Sequence, residues 1–269
     1  MIFYYCKMKI SSGQKHITVC PVCDHSAWKN IYKIDQWTID ECLHCKFARI
    51  DPLPVRTDRP DMYTENKITE RNTKKRGLVR RLAHRLKFFF NGISGRNKNS
   101  IFIKKLHRYV PPGGTVLDGG CGAGGILLHA RDRYECHGIE ISSYLVDLAN
   151  RNEGLDVKLG DLQSYNFGQQ KFDAITLVSI IEHLDDPLGV IQRCFELLKP
   201  NGVFLLKTPN YQCWNRFFKQ DKWVGLRPPD HIVYFSPANL TQILKKAGFS
   251  KIQITSYPMN DNMYCDAWK

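Results

Sequence analysis

Between Val116 and Gly125 the chain reads VLDGGCGAGG, a short apolar run, one carboxylate and then five glycines in seven residues. The run predicts a strand and the residues after it a helix, so the glycines must form a tight turn with left-handed backbone or close approach to a ligand. From Val110 onward the sequence keeps alternating strand and helix patterns. Strands are expected at Thr115 to Leu117, Cys136 to Ile141, Val157 to Leu159, Phe172 to Ile180, Val203 to Lys207, Lys251 to Ser256 and Met263 to Trp268. Pro187 after Asp186 and Ser236-Pro237 open helices, while Pro200-Asn201-Gly202 and Gly248 close them. The expectation is an α/β fold, a doubly wound, mostly parallel seven-stranded Rossmann-like sheet with helices on both faces.

Ahead of this core, Cys20, Cys23, Cys42 and Cys45 have the spacing C-x2-C-x18-C-x2-C. Two such pairs supply four thiolates for one closed tetrahedral site, so the expected metal is a structural Zn2+ in a small zinc-ribbon-like module. His25 and His44 are alternative ligands, read here as surface neighbours of the site. The domain reading is a module over 1–60, a connector over 61–108 and the main domain over 109–269.

The net charge of +13 is local: from Arg71 to Arg108 there are thirteen Lys or Arg and no Asp or Glu, leaving 26 basic and 26 acidic residues elsewhere. Within that tract Leu78, Leu82, Leu86, Phe89 and Ile93 recur at helical spacing opposite Arg80, Arg81, His84, Arg85 and Lys87. Two readings stay open for residues 78–93, an interfacial helix meeting an anionic membrane or substrate, and a helix packed on the main domain with a solvated basic face. No run approaches the roughly 18 apolar residues of a membrane span. The opening MIFYYCKM lacks a secretory cleavage pattern, and Met8 offers an alternative start. A cytoplasmic location is expected, with peripheral contact at the inner membrane surface under the first reading of the helix.

The glycine turn suits two ligand classes. Gly120, Gly122 and Gly125 satisfy G-x-G-x-x-G and Glu140 follows near the distance at which an acid holds ribose hydroxyls, which fits a dinucleotide. Asp118 decides against that, because a carboxylate beside a pyrophosphate repels it. S-adenosylmethionine (SAM) has a sulfonium, an ammonium and no phosphate, so the same acid attracts it. Asp118-x-Gly120-x-Gly122-x-Gly124 resembles the first motif of the class I SAM-dependent methyltransferases, with a type 11/23-like core. Glu140 ending the second strand, Gly160-Asp161-Leu162 after the third, FDAITLVSIIEHLDDP, LLKPNGVFLLKTPN and RPPDHIVYFSPANLTQILKKAGF follow in that family's order. The resemblance implies cofactor contacts from Asp118, Gly120, Cys121, Gly122, Gly124, Glu140, Ile141, Asp161, Leu162 and Val178, with Glu140 on the ribose and Asp161 on the adenine amino group.

Methyl transfer from a sulfonium is an in-line displacement that needs positioning and exclusion of water, with a base only where the acceptor must lose a proton. Glu182, His183 and His231 are the candidates, each also readable as an orienting or packing residue. The stretch Cys213 to Leu226, with Trp214, Phe217, Phe218 and Trp223, is expected to be a substrate lid or a cover for the sheet edge. Two C-x-x-C pairs before such a core also resemble bacterial enzymes of sugar and cell-surface glycan modification, including nucleotide-sugar C-methyltransferases. Those enzymes continue into a long C-terminal extension, whereas this chain stops near the seventh strand. The acceptor expected is a small molecule, sugar or lipid-linked glycan intermediate methylated on carbon or oxygen. The first alternative is an rRNA or tRNA methyltransferase using the zinc module and basic tract. Against it, Thr208-Pro209-Asn210 stands where an Asn-Pro-Pro-Tyr motif would serve a base amino group. The second is a non-catalytic scaffold of the same fold.

Overall fold

The computed structural model describes residues 16–54, 98–151 and 155–269, with side chains from Ile101 onward in the first helix. The amphipathic stretch 78–93 lies outside the described residues. Three strands come first, β1 (Trp28–Ile34), β2 (Trp37–Cys42) and β3 (Ala48–Asp51). Helix α1 (Lys98–Tyr109) leads into β4 (Thr115–Gly119), α2 (Gly125–Ala130), β5 (Glu135–Glu140), α3 (Ser143–Asn150) and β6 (Asp156–Leu159). Then follow β7 (Phe172–Val178), a 3-10 turn (Ile181–His183), α4 (Pro187–Leu197), β8 (Leu198–Pro209) and α5 (Trp214–Lys219). The chain closes with β9 (Val233–Tyr234), α6 (Pro237–Lys246), β10 (Lys251–Ser256) and β11 (Asn262–Trp268).

Seven strands form one sheet in the order β10-β11-β8-β7-β4-β5-β6. Every pair from β8 to β6 is parallel, and β11 alone runs against its neighbours. The expected seven-stranded, mostly parallel sheet is therefore present. Its strands read as continuous apolar runs because both faces are covered. Val116, Ala174, Val203 and Leu205 turn toward a core with Phe102 and Leu106 of α1 and Ile126 and Leu127 of α2. Leu117, Ile175, Phe204 and Leu206 turn to the other core, against Val190, Ile191 and Cys194 of α4 and Leu240, Ile243 and Leu244 of α6.

The helix caps follow the sequence signals. The Asp186 side chain accepts from the Gly189 N–H with Pro187 in the first turn, and Ser236 and Asn239 form a reciprocal capping box on α6. Gly248 has φ +111°, the backbone needed to leave α6.

The chain order reverses at β4, which has β5 on one side and β7 on the other. In a parallel sheet that reversal opens a crevice beyond the carboxyl ends of the strands. The N-terminal strands reach the same end of the molecule through a second sheet, β1-β2-β3-β9, whose last strand comes from the main domain. The N-terminal segment is thus stitched into the main domain, and Cys20, Cys42, Phe47 and Ile50 share a core with Phe235 and Leu240. Among the described residues no helix is long and apolar enough to cross a membrane.

Candidate active site

Gly120, Gly122 and Gly124 all have positive φ, at +66°, +57° and +75°. An L side chain there would be strained, and a Cβ on Gly120 would sit 2.4 Å from Ile180 Cδ1. The turn wraps a carboxylate. Glu140, at the end of β5, accepts from the Gly122 N–H at 2.9 Å and the Ser142 N–H at 3.0 Å, and is 7% exposed. Beneath the turn, Asp118 is 3% exposed and accepts from the Thr176 hydroxyl at 2.5 Å, its direct partner in the β4–β7 register. Burial first, and the Glu140 charge after it, push the Asp118 carboxyl up to about 7. Burial likewise raises the Cys121 thiol beside the two acids.

The other residues expected around a cofactor gather at the same end of the sheet. Ile141 follows Glu140 with its apolar side chain 37% exposed. Leu162 packs against the turn, where a Cβ on Gly119 would lie 2.8 Å from its Cδ2. Asp161, half-buried, accepts from the Gln163 N–H at 2.8 Å, and Val178 ends β7 half-buried. Two buried acids under one turn make an electronegative floor. A sulfonium and an ammonium would relieve it, whereas a pyrophosphate would add two further negative charges. The residues present fit SAM.

A second group stands at the carboxyl end of β7. Ligand atoms of Glu182, His183 and His231 lie within 4.8 Å of one another. Glu182 is 2% exposed and accepts from the Thr208 hydroxyl at 2.9 Å; burial raises its carboxyl. His183, half-buried, has Nδ1 2.5 Å from the Asp230 carbonyl, which requires the proton on Nδ1 and leaves Nε2 as the basic nitrogen. His231 is 5% exposed, with Nδ1 2.8 Å from the Gly225 carbonyl and its ring edge-on to His183 at 4.9 Å. Burial, reinforced by His183 and Arg227, holds the His231 imidazole down at about 3, so it is neutral at physiological pH.

The aromatic stretch after β8 divides. Trp214, Phe217 and Phe218 are exposed, whereas Trp223 is 1% exposed and donates its indole N–H to Asp261 at 2.7 Å. Trp223 is therefore a core anchor, because its polar N–H finds a partner only inside. No hydrogen-bonding role at the site was expected for Thr176, Thr208 or Asp230. A threonine inside an apolar strand was the one available signal for the first, and nothing in the sequence marked which acid it faced.

Glycine turn, buried acid at the end of β5 and crevice at the chain reversal together fit a nucleoside-binding α/β enzyme of the SAM-dependent type. A family model described as a methyltransferase domain matches residues 81–254, and the chain belongs to that family, the SAM-dependent methyltransferases. It is 28% identical over 171 residues to the ubiquinone biosynthesis O-methyltransferase of Coxiella burnetii, spanning 58% of this chain and 73% of that protein. To the protein of the same description from Histophilus somni it is 31% identical over 163 residues, 54% of this chain and 68% of that one. In three dimensions it resembles the magnesium protoporphyrin IX methyltransferase of Synechocystis PCC 6803 with bound SAH, at TM-score 0.57 and 18% identity over 80% of this chain and 100% of that one.

Two outcomes are expected. Glu140→Ala should weaken SAM binding, measured by calorimetry, by about 1 to 3 kcal/mol through lost charge-assisted hydrogen bonds; unchanged affinity would put the ribose elsewhere. His231 stays unprotonated in the fold down to about pH 3 but takes a proton in the unfolded chain near pH 6.5. Protons then bind the unfolded state more, so stability should fall as pH drops below about 6.5, by up to about 1.4 kcal/mol per unit. Urea titrations of His231→Gln should show a shallower slope than wild type in that window.

Proposed function

We propose that the protein transfers the SAM methyl group to a hydroxyl oxygen of a small-molecule acceptor, with His183 as the base. The observation that carries this is the fixed His183 tautomer at the mouth of the crevice, its Nδ1 tied to the Asp230 carbonyl. SAM, when bound, supplies an electrophilic methyl group on sulfur. The protein's task is to hold the acceptor oxygen in line with that group, keep water out and take the hydroxyl proton. His183 Nε2 takes the proton. The imidazolium that results is stabilised by the Asp230 carboxylate, whose Oδ1 lies 3.4 Å from Nδ1. His231, neutral and buried beside it, adds a polar wall without a competing positive charge. Glu182 and Thr208 fix the floor. The O-methyltransferase relatives support oxygen as the atom methylated, and an acceptor carried on a sugar or lipid remains within the same proposal.

The cysteines belong to the proposal as a structural Zn2+ site. Cys20 and Cys45 sulfurs are 3.6 Å apart, Cys23 and Cys42 sulfurs 3.5 Å, and all four lie within 4.8 Å of one another as free thiols. A tetrahedron with Zn–S bonds of roughly 2.3 Å has edges of roughly 3.8 Å, close to those separations. Burial pushes the Cys20 thiol up to about 12 and raises Cys45, whereas at Cys42 burial is outweighed by backbone N–H groups of the second knuckle, which lower the thiol; a cation among the four sulfurs would favour the thiolate form of all of them. With all four ligands from sulfur, such an ion has no open position for chemistry.

Methyl-labelled SAM supplied with a panel of catechols, glycosides and nucleotide sugars tests the reaction. An oxygen-linked labelled product is expected, and His183→Ala should lower kcat by about 10²- to 10⁴-fold with SAM affinity retained. A carbon-linked product, or an unchanged rate in the variant, would overturn the assignment. Elemental analysis should find about one zinc per chain, lost in Cys20→Ser; a protein purified without chelator and free of metal would refute the site.

A further inference from the structure

We infer that the four-cysteine cluster is a positioning element for the acceptor half of the active centre, and that its metal occupancy governs the Glu182, His183 and His231 group while leaving the SAM half untouched. This rests on the metal-site reading above. The second pair of cysteines sits on the turn between β2 and β3. The Cys42 N–H bonds the Phe47 carbonyl at 2.8 Å, and the Lys46 N–H bonds the Cys42 carbonyl at 3.0 Å with Lys46 at φ +65°. A residue held in that backbone conformation persists only where its surroundings impose it. Strand β3 leaves that turn directly and pairs with β9 through Ala48↔Tyr234 and Arg49↔Val233.

From β3 a short relay of backbone hydrogen bonds reaches the candidate base. The Ile50 N–H donates to the Ile232 carbonyl at 2.9 Å, and the Ile232 N–H donates to the Glu182 carbonyl at 2.8 Å. Ile232 is the neighbour of His231, so one residue joins the cysteine module, one histidine and the turn that carries the other. Strand β9 is two residues long and has no register of its own to enforce. Two more links come from the cysteine turn. The Asn239 side-chain N–H donates to the Cys45 carbonyl at 2.8 Å from inside the α6 capping box, and Phe47 packs on Phe235 with ring centroids 5.1 Å apart.

The SAM half hangs on different bonds. Gly120 and Cys121 bond the Ile139 carbonyl, Glu140 is held by Gly122 and Ser142, and Asp118 by Thr176. All of these stay within β4, β5, β7 and the turns that follow β4 and β5. Releasing the module therefore removes one side of the support of the 231–235 segment, which the Tyr211 N–H still holds at the Phe235 carbonyl at 2.8 Å, and leaves the cofactor turn in place.

Amide hydrogen exchange on the full chain, zinc-loaded and after chelation, tests this alongside calorimetry with SAM. Chelation should cut protection at 231–235 and 181–184 at least about tenfold, reversed by adding zinc back, while protection at 117–122 and 138–142 and the SAM affinity stay within about twofold. Nitrogen-15 histidine spectra should show His231 losing its single Nδ1–H tautomer in the same step. In the metal-loaded protein, Asn239→Ala should loosen 231–235 more than Ser236→Ala, which removes the α6 cap and keeps the donor to Cys45. Unchanged exchange at 231–235, or a loss spread equally over both halves together with SAM binding, would overturn the inference. A chain that binds no zinc refutes the metal site, and the Asn239→Ala and Ser236→Ala pair then still decides whether the module holds the acceptor half.

Discussion

Two carboxylates buried under one glycine turn set the terms for everything else at this site. Asp118 and Glu140 are placed there by the parallel pairing of β4 with β7 and β5, which ends three strands at one level and turns their last residues into a common floor. Neither acid is exposed, and each is held by donors, Thr176 for one and two backbone N–H groups for the other. An acid pushed up to about 7 by burial and by its neighbour stores unfavourable electrostatic energy in the ligand-free protein. A cationic ligand relieves that energy and a pyrophosphate adds to it, so the floor fits SAM better than a phosphate-bridged nucleotide.

The acceptor side is built on the opposite logic. Its groups are a buried carboxyl raised by burial, a histidine held uncharged by burial, and a second histidine whose Nδ1 is tied to a carbonyl. Its geometry depends on a stretch of chain that has little regular structure of its own, residues 227–235. Residues 232–234 of that stretch bond to a strand from the far N-terminus, so the cysteine module and the main domain meet around this side of the crevice.

Much of the fold was legible before any coordinates. The seven expected strands of the main sheet each overlap an observed one, and the helix starts at Pro187 and Ser236-Pro237 appear with the capping bonds the residues call for. The glycine turn and the acids around it were legible because glycine and acid positions answer to local backbone need. Asp118, expected at the cofactor, lies under the turn at 3% exposure and bonded to Thr176, a partner its sequence neighbours did not announce. Trp223 left the proposed lid for the core, since aromatic density alone cannot say which ring is covered.

Sequence by itself determined what local chemistry can enforce: the α/β alternation, the glycine turn, the two C-x-x-C pairs and the charge of the ligand. Tertiary structure alone decided which distant residues meet. Nothing in positions 48–50 announces that they pair with 232–234, because a two-residue strand carries no pattern and its partner is chosen by packing. The same holds for His183 and His231, which are 4.9 Å apart in space and separated in sequence by a long segment whose path is fixed only by the core it covers.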